Sequence, residues 1–287
     1  MKKVLIIGVK GNLGIQLQKI FEESFEVVAW DKEELDITDE GEVNKKVKKL
    51  KPNIIINSAA YNAVDKCEED DQEFELAKKI NGLGPKYLAK ISQEIKATLV
   101  HYSSDYVFDG NKKEGYSEDD ETSPINNYGR SKLLGEELVQ EVGKNGNLNY
   151  YIIRTSKLFG KPGLSEVAKK SFFDVMIGLS KGRDELKIVD EEVSLFTYTV
   201  DLAKATKKLI EDKKERGIYH VANSESCTWY ESAKYLFEII KRDVKIIPVD
   251  GDEFPRPAKR PKYSVLLNTK LKPIRSWKEA LKDYLNI

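Results

Sequence analysis

Sulfur and histidine are scarce in this chain. Of 287 residues, two are cysteine (Cys67 and Cys227) and two are histidine (His101 and His220). So few cysteines exclude a disulfide scaffold and fit a reducing compartment, and each reads as packing. Both histidines fall in strand-like apolar runs, where a buried, satisfied imidazole is expected rather than a ligand. No spacing of Cys, His, Asp and Glu matches a metal site. Charge of one sign is also missing: Lys+Arg and Asp+Glu are 48 each, which argues against a nucleic-acid footprint or an acidic tail and points to a small-molecule partner. No apolar run approaches the roughly 18 residues of a membrane span. Two lysines precede Val4–Ile7 in the manner of a signal peptide, but the run ends at Gly8 and no small-residue cleavage site follows, so a cytoplasmic protein is expected. Charged residues make up 33% of the chain, mostly Lys and Glu, a composition associated with heat-adapted hosts that says nothing about activity.

What is present begins at the amino terminus. Val4–Ile7 is an unbroken apolar run too short for a helix, the habit of a strand buried on both faces. Glycines follow at 8, 11 and 14, and Leu13, Leu17, Ile20 and Phe21 then recur at helical spacing. Backbone N–H groups presented without side chains at a helix N-terminus suit a pyrophosphate. Gly8 and Gly11 give the tight turn and close approach, and Gly14 lets the helix pack on the strand. The spacing is GxxGxxG rather than GxGxxG, so the flanking strand and helix carry the reading. A second strand, Glu26–Trp30, ends at Asp31, about 20 residues past the glycines, where a carboxylate usually takes the adenine-ribose hydroxyls and disfavours a 2′-phosphate. Lys10 and Lys32 flank the same place, so both NAD and NADP remain open.

Strand and helix alternate from there. A helix with the stripe Val43, Val47 and Leu50 is broken by Pro52, and a buried strand runs to Asn57. Ser58-Ala59-Ala60-Tyr61 then offers small residues for a flat cofactor, or a bare turn. Asn81, polar within a helical stretch, is a cap or a hydrogen-bonding post. Thr98–Tyr102 is the next strand and ends in Ser103-Ser104-Asp105-Tyr106, hydroxyls and a carboxylate at a strand's carboxyl end, where a doubly wound α/β sheet keeps its site. Tyr128 and Lys132, four apart on a helix, share one face. An ammonium one turn from a phenol is expected to lower its pKa toward the working range for proton transfer.

At 287 residues the chain suits one large or two unequal domains. The expected division is a dinucleotide-binding Rossmann domain over 1–155, with 186–222 returning to it, and a smaller substrate lobe of 156–185 and 223–287. In that lobe a helix is expected from Val167 to Leu179, and a short strand is expected from Leu186 to Val189 at the start of the returning stretch. Phe254–Pro261 is a proline-punctuated basic loop, either a nucleotide-diphosphate contact or a stiff connection.

Gly8–Gly14, Asn57–Glu68, His101–Phe108, Tyr128–Lys132, Arg154–Ser156 and Arg260–Ser264 together resemble the extended short-chain dehydrogenases/reductases, and within them the dTDP-4-dehydrorhamnose reductase family, over nearly the whole chain. The resemblance implies an NAD(P)H-dependent oxidoreductase acting on a dTDP-linked 4-keto-6-deoxysugar. It implies a catalytic triad of Ser104, Tyr128 and Lys132, with Ser104 in place of the usual threonine. Gly8, Lys10, Gly11, Asn12, Leu13, Gly14, Asp31, Asp36, Ile37, Ala59, Ala60, Tyr61, Asn81, Ser103, Tyr128 and Lys132 would hold the cofactor, Asp36 and Ile37 at the adenine. Val64, Asp65, Ser104, Asp105, Arg260 and Ser264 would line the sugar side. Lys157 stands where the family has a tryptophan, and Glu192–Thr197 replaces a glycine-proline turn, so the sugar itself is left open. Gln16 replaces the glutamate of metal-dependent members, hence no required metal. A nucleotide-sugar epimerase or dehydratase uses the same Tyr and Lys, and a non-catalytic regulatory subunit like that of methionine adenosyltransferase keeps the same fold. A homodimer is among the oligomeric states the sequence allows.

Overall fold

The structure, a computed structural model, describes residues 1–164 and 170–287. The residues Val167 to Lys169 of the expected Val167–Leu179 helix lie outside the described residues. The first layer is built from β1 (Lys3–Ile7), α1 (Asn12–Phe21), β2 (Glu26–Trp30), α2 (Glu40–Leu50), β3 (Ile54–Asn57), α3 (Lys66–Glu69), α4 (Asp71–Ala77), α5 (Gly84–Glu94), β4 (Thr98–Ser104), α6 (Asn127–Lys144) and β5 (Asn149–Thr155). The chain goes on through β6 (Leu158–Phe159), α7 (Phe172–Leu179), β7 (Glu185–Val189), β8 (Thr197–Tyr198), α8 (Thr199–Glu211), β9 (Gly217–His220), β10 (Asn223–Ser224), α9 (Trp229–Ile239), β11 (Lys245–Val249), β12 (Ile274–Ser276) and α10 (Trp277–Leu285).

Six parallel strands form the central sheet in the order β2-β1-β3-β4-β5-β9. The strand order reverses direction beside β1, so the carboxyl ends of β1 and β3 bound the crevice where such sheets take their ligands. Apolar side chains leave both faces of the sheet, as a parallel sheet requires. Val4, Ile6, Ile54, Ile56 and Ile153 pack with α1 and α8 on one side, while Leu5, Ile7, Ile55, Leu99 and Ile152 pack with α2, α5 and α6 on the other. Each such buried aliphatic side chain contributes about 1.5–3 kcal/mol from removal of its surface from water.

A second core, Phe159, Phe173, Phe196, Tyr198, Leu236, Trp277 and Leu281, joins α7, α9 and α10 to short strand pairs outside the central sheet. Within the stretch 186–222 expected to return to the first domain, only α8 and β9 do so. β7 instead pairs with β11 from Glu185↔Lys245 to Val189↔Val249 in a separate sheet. Its alternating burial explains the misassignment: Leu186 and Ile188 face the second core while Glu185 and Lys187 face solvent, a one-sided pattern that a short run of sequence does not tie to either layer.

Between α4 and α5 the helix widens into a π turn at Lys78–Leu83. Pro85 has no N–H to offer the carbonyl four residues back, and its ring collides there in a regular helix, so the looser turn fits. This turn carries Asn81.

Candidate active site

The glycine turn is fixed by contact. Gly8 has φ +80, and a Cβ there would stand 2.6 Å from the Ala59 nitrogen; one on Gly14 would stand 2.2 Å from the Gly8 oxygen. Only hydrogen in both places lets β1, α1 and the Ala59 turn close on one another. Gly11 caps α1 without a side-chain hydrogen bond, and no acidic residue lies in the first turn, so the positive end of the helix dipole faces this turn. Asp31 ties this turn to β2: its carboxylate accepts from Lys10 N and Lys32 N, both at 2.9 Å. The Lys10 ammonium pairs with Glu33 at 2.9 Å, which raises its pKa. Asp36 accepts from the Thr38 hydroxyl at 2.7 Å and its amide at 2.9 Å. Burial alone would raise that carboxyl, but these bonds bring it below its ordinary value. Asn12 accepts from Gly163 N at 2.8 Å, and the Lys10 carbonyl accepts from Leu164 N at 2.7 Å, so the 160–164 segment lies across the turn.

Asn81 acts as a hydrogen-bonding post. Its Oδ1 accepts from Tyr61 N at 2.9 Å, and its Nδ2 donates to the Tyr61 carbonyl at 3.0 Å and to Ser131 Oγ at 2.9 Å. One side chain thus joins the 58–61 turn to α6. Ala59 N donates to Asn57 Oδ1 at 3.2 Å, and the Tyr61 hydroxyl bonds Glu73.

Ser104 ends β4 and Tyr128 opens α6. The Ser104 hydroxyl accepts from Tyr106 N at 3.1 Å and donates to Asp105 Oδ1 at 3.0 Å. Tyr128 Oη donates to Asn62 Oδ1 at 3.4 Å. The expected lowering of the Tyr128 phenol is corrected here: burial and then the Asp105 charge push it above its ordinary value, with the Ser104 hydroxyl opposing them. The Lys132 ammonium donates to the Tyr102 carbonyl at 2.6 Å. Burial pushes Lys132 itself down to about 8, against the pull of Glu136.

The sugar-side residues divide into two groups. Arg260 meets Asp65 at 2.8 Å, and Asp65 Oδ1 accepts from Ala258 N at 3.3 Å. Burial works against this carboxylate, yet Arg260 brings it below its ordinary value. The basic loop is therefore held by an ion pair rather than standing as a free cluster. Asp105 is 2% exposed and satisfied from three sides: Oδ2 accepts from Ser264 at 2.7 Å and Ser194 at 3.1 Å, and Oδ1 from Ser104. Asp105 and Ser264 thus face each other. Val64 is half-buried beside Asp65.

The two departures from the family pattern meet in space. Thr197 N donates to the Lys157 carbonyl at 3.2 Å, and the Lys157 ammonium donates to the Glu192 carbonyl at 3.1 Å while standing 3.9 Å above the Trp229 ring. Burial pushes Lys157 down to about 8. Glu192 accepts from Trp229 Nε1 at 2.8 Å and pairs with Arg256. Trp229 was not singled out by the sequence, because only the fold brings its helix against Lys157 and Glu192. His220 is satisfied by the Leu267 carbonyl and Arg154, whereas His101, partnered at Nδ1 by Asn57 at 3.3 Å, has no partner for its buried Nε2 among the described residues, contrary to the expectation for that ring. Both cysteines are buried thiols raised by burial, Cys67 to about 11 and Cys227 to about 12.

The residues fit a dinucleotide. The glycine cradle excludes any Cβ, the Gly11 N-cap of α1 brings no side chain of its own, and among the described residues the Ser103 hydroxyl at the end of β4 is buried with no partner. Among the described residues no group of three His, Cys, Asp or Glu side chains could hold a metal, and no helix is long and apolar enough to cross a membrane.

Comparison with known proteins agrees with this geometry. The family model described as the RmlD substrate binding domain matches residues 1–287. A dTDP-4-dehydrorhamnose reductase of Clostridium acetobutylicum is 44% identical with a TM-score of 0.90, over 99% of this chain and 98% of that one. The dTDP-4-dehydrorhamnose reductase of Bacillus anthracis, solved in complex with NADP, is 39% identical with a TM-score of 0.92, over 100% and 99%. The spore coat polysaccharide biosynthesis protein SpsK of Bacillus subtilis is 38% identical over 99% of this chain and 97% of its own. The chain therefore belongs to the RmlD substrate-binding-domain family of extended short-chain dehydrogenases/reductases.

Proposed function

We propose that this protein is an NAD(P)H-dependent reductase of a dTDP-linked 4-keto-6-deoxysugar, dTDP-4-dehydrorhamnose first among them, acting in the cytoplasm. The observation that carries this is the meeting of Ser104 and Tyr128 above a buried Lys132, at the carboxyl end of β4 and two strands from the glycine turn. Gly8, Gly11, Gly14, Asp31, Ala59, Ala60, Asn81 and Ser103 would hold the nicotinamide dinucleotide, which supplies hydride when bound. Tyr128 gives its phenol proton to the developing alkoxide, Lys132 holds the ribose, and Ser104 orients the carbonyl. The high phenol pKa suits a proton donor that keeps its proton until the alkoxide forms. Asp65, Arg260 and Val64 bound the side from which the sugar enters.

The test is direct. The purified protein with NADH or NADPH should oxidise the cofactor only on addition of dTDP-4-dehydrorhamnose or a related keto sugar. An epimerase or dehydratase would return its cofactor unchanged after turnover.

A further inference from the structure

Lys132 is a buried ammonium that, among the described residues, donates to one neutral acceptor, the Tyr102 carbonyl. Such a group tends to lose its proton unless a charge opposes burial. One turn along the same face of α6 stands Glu136, which is wholly buried. A lone carboxylate there would be costly, and Arg154 of β5 pairs it: Nε lies 3.0 and 3.2 Å from the two carboxylate oxygens and Nη2 2.7 Å from one. Arg154 is fixed in turn by the Phe108 ring, 5.0 Å away, and by the Glu118 carbonyl at 3.4 Å.

Among the described residues the other groups around Lys132 carry no opposing charge. His101 of β4 is held neutral by burial and by the Lys132 charge itself. Tyr128, on the same helix, keeps its proton. His220, against Arg154, is pushed down to about 4 by burial and then by that guanidinium. Glu136 is the group whose charge bears on Lys132.

We propose that Glu136, clamped by Arg154, is a positioning residue that keeps Lys132 protonated and in register with Tyr128. The consequence for catalysis rests on the reductase reading; the effect on Lys132 does not. A buried ion pair kept only for folding can be replaced by neutral side chains of similar volume with little loss, so the two roles separate.

The experiment records pH profiles of cofactor affinity, by fluorescence titration with NADH and NADPH, and of keto-sugar reduction. Glu136→Gln alone strands Arg154, so the deciding variant is Glu136→Gln with Arg154→Met. The alkaline limb of both profiles should move down by about one pH unit or more, a roughly tenfold fall in charged over neutral Lys132 at a given alkaline pH. Glu136→Asp, which keeps the charge, should return most of the limb. A double variant whose limbs superimpose on the wild type overturns the proposal, as does a Glu136→Asp variant whose limbs fall as far as those of the double variant. If the wild type reduces no keto sugar while the cofactor limb still shifts, the reductase reading fails and the role of Glu136 stands.

Discussion

The Lys132 ammonium and the Tyr102 carbonyl oxygen stand 2.6 Å apart. Tyr102 is two residues before Ser104 on β4, and Lys132 one turn after Tyr128 on α6, so this bond sets the register between the helix and the strand that share the proposed catalytic groups. Lys132→Met should lower both turnover and cofactor affinity. Tyr128→Phe, which removes one oxygen and keeps the ring, should lower turnover by roughly 10²–10⁴-fold and leave cofactor affinity nearly unchanged. Steady-state kinetics beside a cofactor titration decide it, and wild-type turnover in Tyr128→Phe would remove the proton-donor assignment.

Burial pushes both Lys132 and Lys157 down to about 8. Activity should therefore fall as pH rises through about 8. Stability should move the other way: from about 8 to the ordinary lysine value the unfolded chain binds more protons than the folded one, so folding is favoured as pH rises. Lys187 and Lys278, raised by their partners Glu253 and Glu225, lose their pairing only above that window. A pH–rate profile is to be set beside thermal melts over the same range. Activity and melting temperature declining together would trace the alkaline loss to unfolding.

Asp31 holds its carboxylate at the end of β2 against the Lys10 and Lys32 amides, where it would disfavour a 2′-phosphate. NADH should bind at least as tightly as NADPH, and Asp31→Ala should shift preference toward NADPH. Fluorescence titration of the two cofactors checks this. A wild type that clearly prefers NADPH, with no change in the variant, would strip Asp31 of that role.

Lys157 over Trp229 is a desolvated cation–π pair, worth about 2 kcal/mol in such settings. Lys157→Met should change KM by roughly tenfold for some members of a panel of dTDP-linked keto sugars, with cofactor affinity intact. A wild type inactive on the whole panel that still binds cofactor would favour a regulatory subunit over an enzyme.

Lys157 and Glu192 show where sequence reading stops. Each is visible as a departure from a pattern, but 35 residues separate them, and their bond exists because β6 and β8 pair and bring Thr197 against the Lys157 carbonyl. Asn81 was legible as an oddity, and the π turn that aims it at Tyr61 and Ser131 made it a post.

The sequence alone determined what depends on neighbours along the chain. These are the buried parallel strands, the glycine turn after β1, the acidic end of β2, and the one-turn spacing of Tyr128 and Lys132, because local periodicity and backbone freedom are written in consecutive residues. Tertiary structure alone decided what depends on distance and dielectric: the pairing of β7 with β11, the ion pair of Asp65 with Arg260, and the burial that raises Tyr128 and lowers Lys132. A charge's energy is set by what surrounds it in space, and for Lys132 that is Tyr102 from one strand, Glu136 from its own helix and, through Glu136, Arg154 from the next.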